Sequence, residues 1–311
     1  MGCLLALMGL LAVIGFAGMA LSGLGGVPDG IEEVVEEARP GAPKLVVIDI
    51  RGPLMRGAGL GGGVTDETLR MLDRAMDDDR VVGVLLRVDT PGGSVTDADL
   101  IHHRIGKLKK KKRKVLVQMG DLCASGGYYL AAGADEIWAL PTTVTGSIGV
   151  IISNIELGGL LARFGVRDDS IASGRNKQLL SPFHPLTPEQ RGLLQGIVDA
   201  MYQRFLEVVA EGRGLEIERF RHLADGRVLT AQEAEAAGLV DSIGYPEDAL
   251  DRLKKMAGEE QYAVVRYRIA PGLGEMLGVR GETRRPWVGE LLVAPRPMYL
   301  YAPGALVGAL P

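Results

Sequence analysis

Apolar runs rich in β-branched residues alternate with helical stretches between Lys44 and Leu140, and this alternation limits the fold more than any other feature of the chain. Strands are expected at Lys44 to Ile50 (KLVVIDI), Val81 to Asp89, Lys114 to Met119 and Glu136 to Leu140, with helices over about 66–79, 95–111 and 125–133. Strands that are apolar throughout and separated by helices predict a parallel sheet covered on both faces, hence an α/β domain. Gly57 to Gly63 reads as a glycine-rich loop after the first strand. Further on, Thr187-Pro188-Glu189-Gln190 opens a long amphipathic helix to about Glu211, with proline in the first turn where its missing N–H costs nothing. A helical hairpin is expected over about 216–256.

Charge and cysteine content then narrow the function. A net charge of −4 over 311 residues gives no electrostatic case for nucleic acid. Two cysteines and four histidines without ligand spacing make neither a disulfide framework nor a zinc site. The six-residue basic run Lys109 to Lys114 ends a helix, where cations suit the helix C-terminus, and reads as a solvated corner.

Residues 1–28 contain no Asp, Glu, Lys or Arg. Within them Cys3 to Leu21 is long enough, at about 1.5 Å per residue, to cover the ~30 Å hydrocarbon core as a helix. It is longer than the apolar part of a cleaved secretory signal and has no basic start, which favours an uncleaved membrane anchor. The expected domains are an anchor at 1–28, an acidic linker at 29–43 ending in Pro40-Gly41-Ala42-Pro43, a catalytic domain at 44–258 and a carboxyl-terminal extension at 259–311. The missing basic flank leaves orientation unmarked by charge.

Two glycine-containing turns lie at the carboxyl ends of expected parallel strands, where open α/β sheets place their sites. Asp89-Thr90-Pro91-Gly92-Gly93 leads to a helix that Thr96 and Asp99 can cap, and its glycines leave backbone N–H groups uncovered for an oxyanion. Asp121-Leu122-Cys123-Ala124-Ser125-Gly126-Gly127-Tyr128-Tyr129 puts Ser125 at a helix start; a plain N-cap is the alternative there. A nucleophilic serine needs a base. His102 and His103 fall inside a helix, His222 in the distal hairpin and His184 in a loop, and none is placed beside Ser125 by the sequence. Lys177, in Ser173-Gly174-Arg175-Asn176-Lys177, is the other candidate. A lysine ordinarily titrates near 10.4, so service as a base near neutral pH requires desolvation and a neutral partner such as a hydroxyl. Cys123 reads as a small packing residue.

From Lys44 to Asp251 the chain resembles the signal peptide peptidase A (protease IV) family of membrane-bound Ser-Lys peptidases in its short, single-domain form. The resemblance rests on the two turns above, Thr145-Gly146-Ser147-Ile148-Gly149-Val150, Ser173-Gly174 with Lys177, Ser181-Pro182-Phe183, and Asp225-Gly226-Arg227 leading to Gly238-Leu239-Val240-Asp241. It implies a Clp protease/crotonase-like fold behind an amino-terminal transmembrane helix, with Ser125 as nucleophile, Lys177 as general base, Ser147 holding the lysine and the Gly92 N–H contributing to the oxyanion hole. It further implies no cofactor or metal, a ring-like homo-octamer whose neighbours share the active-site region, and signal-peptide remnants as substrates. The catalytic domain is then extracytoplasmic on a single-pass membrane protein. Thr90 stands where this family more often has serine, and Asp-Thr-Pro-Gly-Gly also resembles the stomatin-associated membrane Ser-Lys proteases. A crotonase-like acyl-CoA enzyme and a non-catalytic membrane scaffold are the remaining alternatives.

Overall fold

The computed structural model describes residues 30–57 and 63–270, together with the backbone of 298–300. The expected anchor at 3–21, most of the Gly57–Gly63 loop and most of the carboxyl-terminal extension lie outside the described residues. The described strands are β1 (Ile31–Glu37), β2 (Lys44–Arg51), β3 (Val81–Thr90), β4 (Gly92–Ser94), β5 (Lys114–Ala124), β6 (Glu136–Ala139), β7 (Val144–Gly146), β8 (Val228–Thr230), β9 (Ser242–Ile243), β10 (Ala263–Ile269) and β11 (Met298–Leu300). The helices are α1 (Val64–Asp77), α2 (Val95–Lys110), α3 (Gly126–Ala131), α4 (Gly158–Arg163), α5 (Pro188–Arg213), α6 (Ile217–Phe220), α7 (Ala231–Ala236) and α8 (Pro246–Ala257).

The main sheet runs β1-β10-β2-β3-β5-β6-β9, with β7 pairing β5 and β8 pairing β7. From β10 to β9 its strands are parallel; β1 is antiparallel to β10, and β8 to β7. The fold is therefore a mixed α/β sheet. Alternation along β2 divides the core: Val46, Ile48 and Ile50 join the main cluster with Leu72 of α1, Ile101 of α2 and Phe205 of α5, while Leu45 and Val47 face Ala249 and Leu253 of α8. Gly83 allows that second helix its close approach, since a Cβ there would stand 2.8 Å from Leu45 Cδ2 and 3.1 Å from Leu253 Cδ1.

Among the described residues, cover on the α8 face extends over the amino half of the strands. Toward their carboxyl ends the same face turns charged: Arg266 Nη1 lies 2.6 Å from Asp49, and Arg87 Nε 3.6 Å from it. A cavity of about 290 Å³ opens there among Arg51, Arg87, Asp89, Gln118 and Asp121. The expectation of two fully covered faces thus holds for the half of the strands whose side chains are apolar.

The expected linker differs most. Residues 31–37 form an edge strand rather than a spacer, and β10 of the expected extension lies between that strand and β2. Their acidic side chains read as linker because only Ile31 is fully buried, yet they are paired: Glu33 with Lys44 at 2.6 Å, Glu36 with Arg266 at 2.7 Å and Glu37 with Lys254 at 3.0 Å. The expected hairpin over 216–256 is also broken up. Gly226, at φ +89°, turns the chain into β8, and Thr230 then restarts a helix through a reciprocal capping box with Glu233. In the basic run, Lys109 donates to the Ala134 carbonyl and Lys111 to that of Met76, each at 3.0 Å, which is the corner role expected of it.

Candidate active site

β5 runs through Gly120 and Asp121 to Ala124, five residues beyond its expected end, and delivers Ser125 to the first turn of α3. Two hydroxyls hold the neighbouring β7 in place: Thr143 donates to the Gly120 carbonyl at 2.7 Å and Thr145 to that of Cys123 at 2.6 Å. The register sets Ala124 beside Gly146, so the next residues, Ser125 and Ser147, stand abreast where the two parallel strands end. The Ser125 N–H donates to the Gly146 carbonyl at 2.8 Å.

Both serines have positive φ, 56° at Ser125 and 51° at Ser147. Ser125, with ψ −115°, lies outside the regions that L residues ordinarily adopt, a strain of about 1–3 kcal/mol that the surroundings must hold. Those surroundings are rigid. Tyr128 donates to the Leu239 carbonyl at 2.8 Å and Tyr129 to Asp99 at 2.6 Å, anchoring α3 from both sides. Ser125 is 1% exposed and its Oγ has no hydrogen-bond partner among the described residues. A sharp strand-to-helix turn carrying an unbonded hydroxyl is the local geometry of a serine nucleophile.

The first glycine turn meets this crest from β3. Gly127 packs onto Thr90, a Cβ there falling 2.6 Å from Thr90 Cγ2. Thr90 Oγ1 donates to the Gly52 carbonyl at 2.6 Å and accepts from the Gly92 N–H at 3.1 Å. The Gly92 N–H is therefore turned inward to Thr90. Leu54 takes the other side of β4, donating to the Gly92 carbonyl and accepting from the Ser94 N–H, which leaves the Gly93 amide on the opposite edge, where Tyr299 of β11 stands across from it. The Gly126 N–H, in the first turn of α3, has no acceptor within its helix. In that register Gly93 pairs with Tyr299, so Gly126 is the amide that sequence reasoning missed; its place in the first turn of α3 distinguishes it, and composition does not show it. Ser94, not Thr96 or Asp99, is the N-cap of α2, and Asp99 is committed to Tyr129.

Lys177 lies apart from the serines in this single chain. It is exposed, in a loop where its N–H donates to the Gly174 carbonyl, and the unbonded Ser125 Oγ shows that it does not reach the nucleophile. The region around it, from Ile151 to Ile197, leaves Leu160, Phe164 and Ile171 at 54%, 77% and 102% exposure. No histidine replaces it: His184 pairs with Asp168 at 3.0 Å, and His102 packs edge-on against Tyr129. Burial, with the Asp89 carboxylate adding to it, pushes the Cys123 thiol far above its ordinary range, as befits a packing residue.

Residues 107–260 match the model of peptidase family S49. The Enterococcus faecium protein named signal peptide peptidase SppA is 38% identical over 248 residues, 75% of this chain and 72% of that protein. Protease 4 of Salmonella typhi is 33% identical over 236 residues, 75% of this chain but 38% of that one, and the chloroplastic serine protease SPPA of Arabidopsis thaliana is 30% identical over 210 residues, 67% and 30% of the two chains. Among solved structures, a membrane-bound stomatin-specific protease aligns at 18% identity over 68% of this chain and 85% of that one, with a TM-score of 0.45. By class, then, the chain is a serine peptidase. It belongs to peptidase family S49, the signal peptide peptidase A family.

Proposed function

We propose that this chain is a membrane-anchored endopeptidase with the Clp protease/crotonase-like fold, in which Ser125 and Lys177 form a Ser-Lys dyad that degrades signal-peptide remnants and other apolar peptides. The observation that carries the reading is Ser125 itself, strained, buried, unbonded and abreast of Ser147. Neutral Lys177 takes the Ser125 proton, the alkoxide attacks the peptide carbonyl, and the protonated lysine returns its proton to the leaving amine. The neutral lysine then activates water to release the acyl group. The backbone amide of Gly126, in the first turn of α3, receives the oxyanion, and the Gly92 turn, held by Thr90, lies beside it.

Lys177 reaches this site by assembly in a homo-octamer, in which a neighbouring copy covers the apolar surface around Leu160, Phe164 and Ile171 and desolvates the lysine. Residues 3–21 hold the assembly in the membrane, with the catalytic domain at 44–258 extracytoplasmic. The test is covalent. A fluorophosphonate is expected to label Ser125 in the wild type, Ser125→Ala and Lys177→Ala each to abolish peptidase activity while keeping the fold, and mixed oligomers of the two variants to regain about a quarter of the sites. Wild-type turnover by either single variant would sink the dyad; mixtures that stay inactive would remove the sharing between copies and leave the dyad standing.

A further inference from the structure

Ser147 is held in its positive-φ conformation from outside its own strand. The turn Asp225-Gly226-Arg227 grips it by two backbone hydrogen bonds: the Ser147 N–H donates to the Arg227 carbonyl at 2.7 Å, and the Gly226 N–H donates to the Ile148 carbonyl at 3.1 Å. The peptide linking Ser147 to Ile148 is thus fixed on both sides by three consecutive residues. Those residues hold their own shape through one side chain. Asp225 Oδ1 accepts from the Arg227 N–H at 3.1 Å and from Arg227 Nε at 2.8 Å, while Oδ2 accepts from Nη2 at 2.6 Å. A side-chain oxygen bonded to the amide two residues on is an Asx turn, and Gly226 supplies the φ of +89° that it requires.

We infer that Asp225 is a positioning residue for the peptidase reaction: through the Asp225–Arg227 turn it fixes the backbone that carries the Ser147 hydroxyl, abreast of Ser125. This rests on the proposed roles of Ser125, Lys177 and Ser147. The guanidinium of Arg227 hydrogen-bonds the carboxylate and holds it down at about 2, so the turn keeps its charge at every pH used for assay. The acceptor geometry, rather than the ion pair, shapes the turn. The Arg227 carbonyl that holds Ser147 belongs to the backbone, and exposed pairs such as this contribute little by charge alone.

The experiment is a set of kinetic comparisons on the full-length assembled protein. Asp225→Ala is expected to lower kcat about tenfold with KM nearly unchanged and to slow fluorophosphonate labelling of Ser125 in proportion. Asp225→Asn keeps an oxygen for the Arg227 N–H and is expected to stay within about twofold of wild type. The decisive arm is the double variant. If Asp225 acts through Ser147, adding Asp225→Ala to Ser147→Ala costs nothing further; two independent losses that multiply overturn the inference. So does an Asp225→Ala enzyme of wild-type kcat, or an Asp225→Asn enzyme as slow as the alanine variant. Failure of the underlying dyad shows separately, as activity remaining in Ser125→Ala or Lys177→Ala.

Discussion

Thr90 presents two groups to its surroundings, and replacing each in turn asks which of them holds the Gly92 turn beside Ser125. Its hydroxyl donates to Gly52 O at 2.6 Å and accepts from Gly92 N–H at 3.1 Å; its methyl lies against Gly127. Thr90→Val keeps the shape and deletes the hydroxyl. The buried Gly92 amide then loses its acceptor, at about 1–3 kcal/mol, and a methyl cannot sit 2.6 Å from a carbonyl oxygen, so the valine also forces the turn apart. About 2–3 kcal/mol is expected in total. Thr90→Ser keeps both hydrogen bonds and loses one buried methyl, about 1 kcal/mol. With roughly 2–4 °C per kcal/mol for a domain of this size, the valine variant should melt about 4–12 °C below wild type and the serine variant about 2–4 °C below. Thermal unfolding followed by far-UV circular dichroism separates the two, and peptidase assays should show the serine variant active and the valine variant at least about tenfold slower. A valine variant as stable as the serine one would refute the assignment of the turn to the hydroxyl.

Two further outcomes follow from the same packing and from the ion pair of Lys44 with Asp78, 2.8 Å apart at the end of α1. Gly127→Ala drives a Cβ into Thr90 Cγ2 and should destabilise by about 1–3 kcal/mol, but Thr90→Ser removes that methyl, so the double variant should melt above Gly127→Ala alone; simple additivity would show that the contact is not the cause. Partial burial works to raise the Asp78 carboxyl, but hydrogen bonds from Lys44 and Arg80 outweigh it and bring the group down to about 2. Its folded value lies below its unfolded one, so its contribution is complete above about pH 4 and is lost as pH falls toward 2. Lys44→Gln should move the onset of acid unfolding, measured by intrinsic fluorescence, to higher pH, and an unmoved onset would discount the pair.

Much of the catalytic layer was legible because its signals are local. Apolar runs at 45–50 and 81–88 have to be buried strands, and Thr187-Pro188-Glu189-Gln190 carries its own capping box, which the structure closes between Thr187 and Gln190. Ser125 was legible as the residue at a helix start. What the sequence hid depends on distant partners. Ile31 to Glu37 resembles solvated linker until Lys44, Lys254 and Arg266 are brought to its carboxylates. Gly120-Asp121 looks like a strand end, but β5 absorbs it where the register shifts between Val88 and Thr90. The inward turn of the Gly92 amide needed the position of Thr90, and the separation of Lys177 from Ser125 is a matter of tertiary placement that no motif spacing encodes.

The direction of β1 settles where the chain enters the domain. Ile31 pairs with Ile269 at the carboxyl ends of the parallel strands, the same end of the sheet as Ser125, and the chain leaves β10 there too. The basic corner at 109–114 lies at the other end, roughly 35 Å away along the eleven residues of β5. With residues 3–21 in a bilayer as proposed, the domain hangs by the end that carries its nucleophile. Only residues 22–29 separate the span from the start of the described fold, at most about 28 Å when fully stretched. The tether between the proposed span and that end of the sheet is then short. On that reading, peptides leaving the bilayer would meet the nucleophile's end of the domain first.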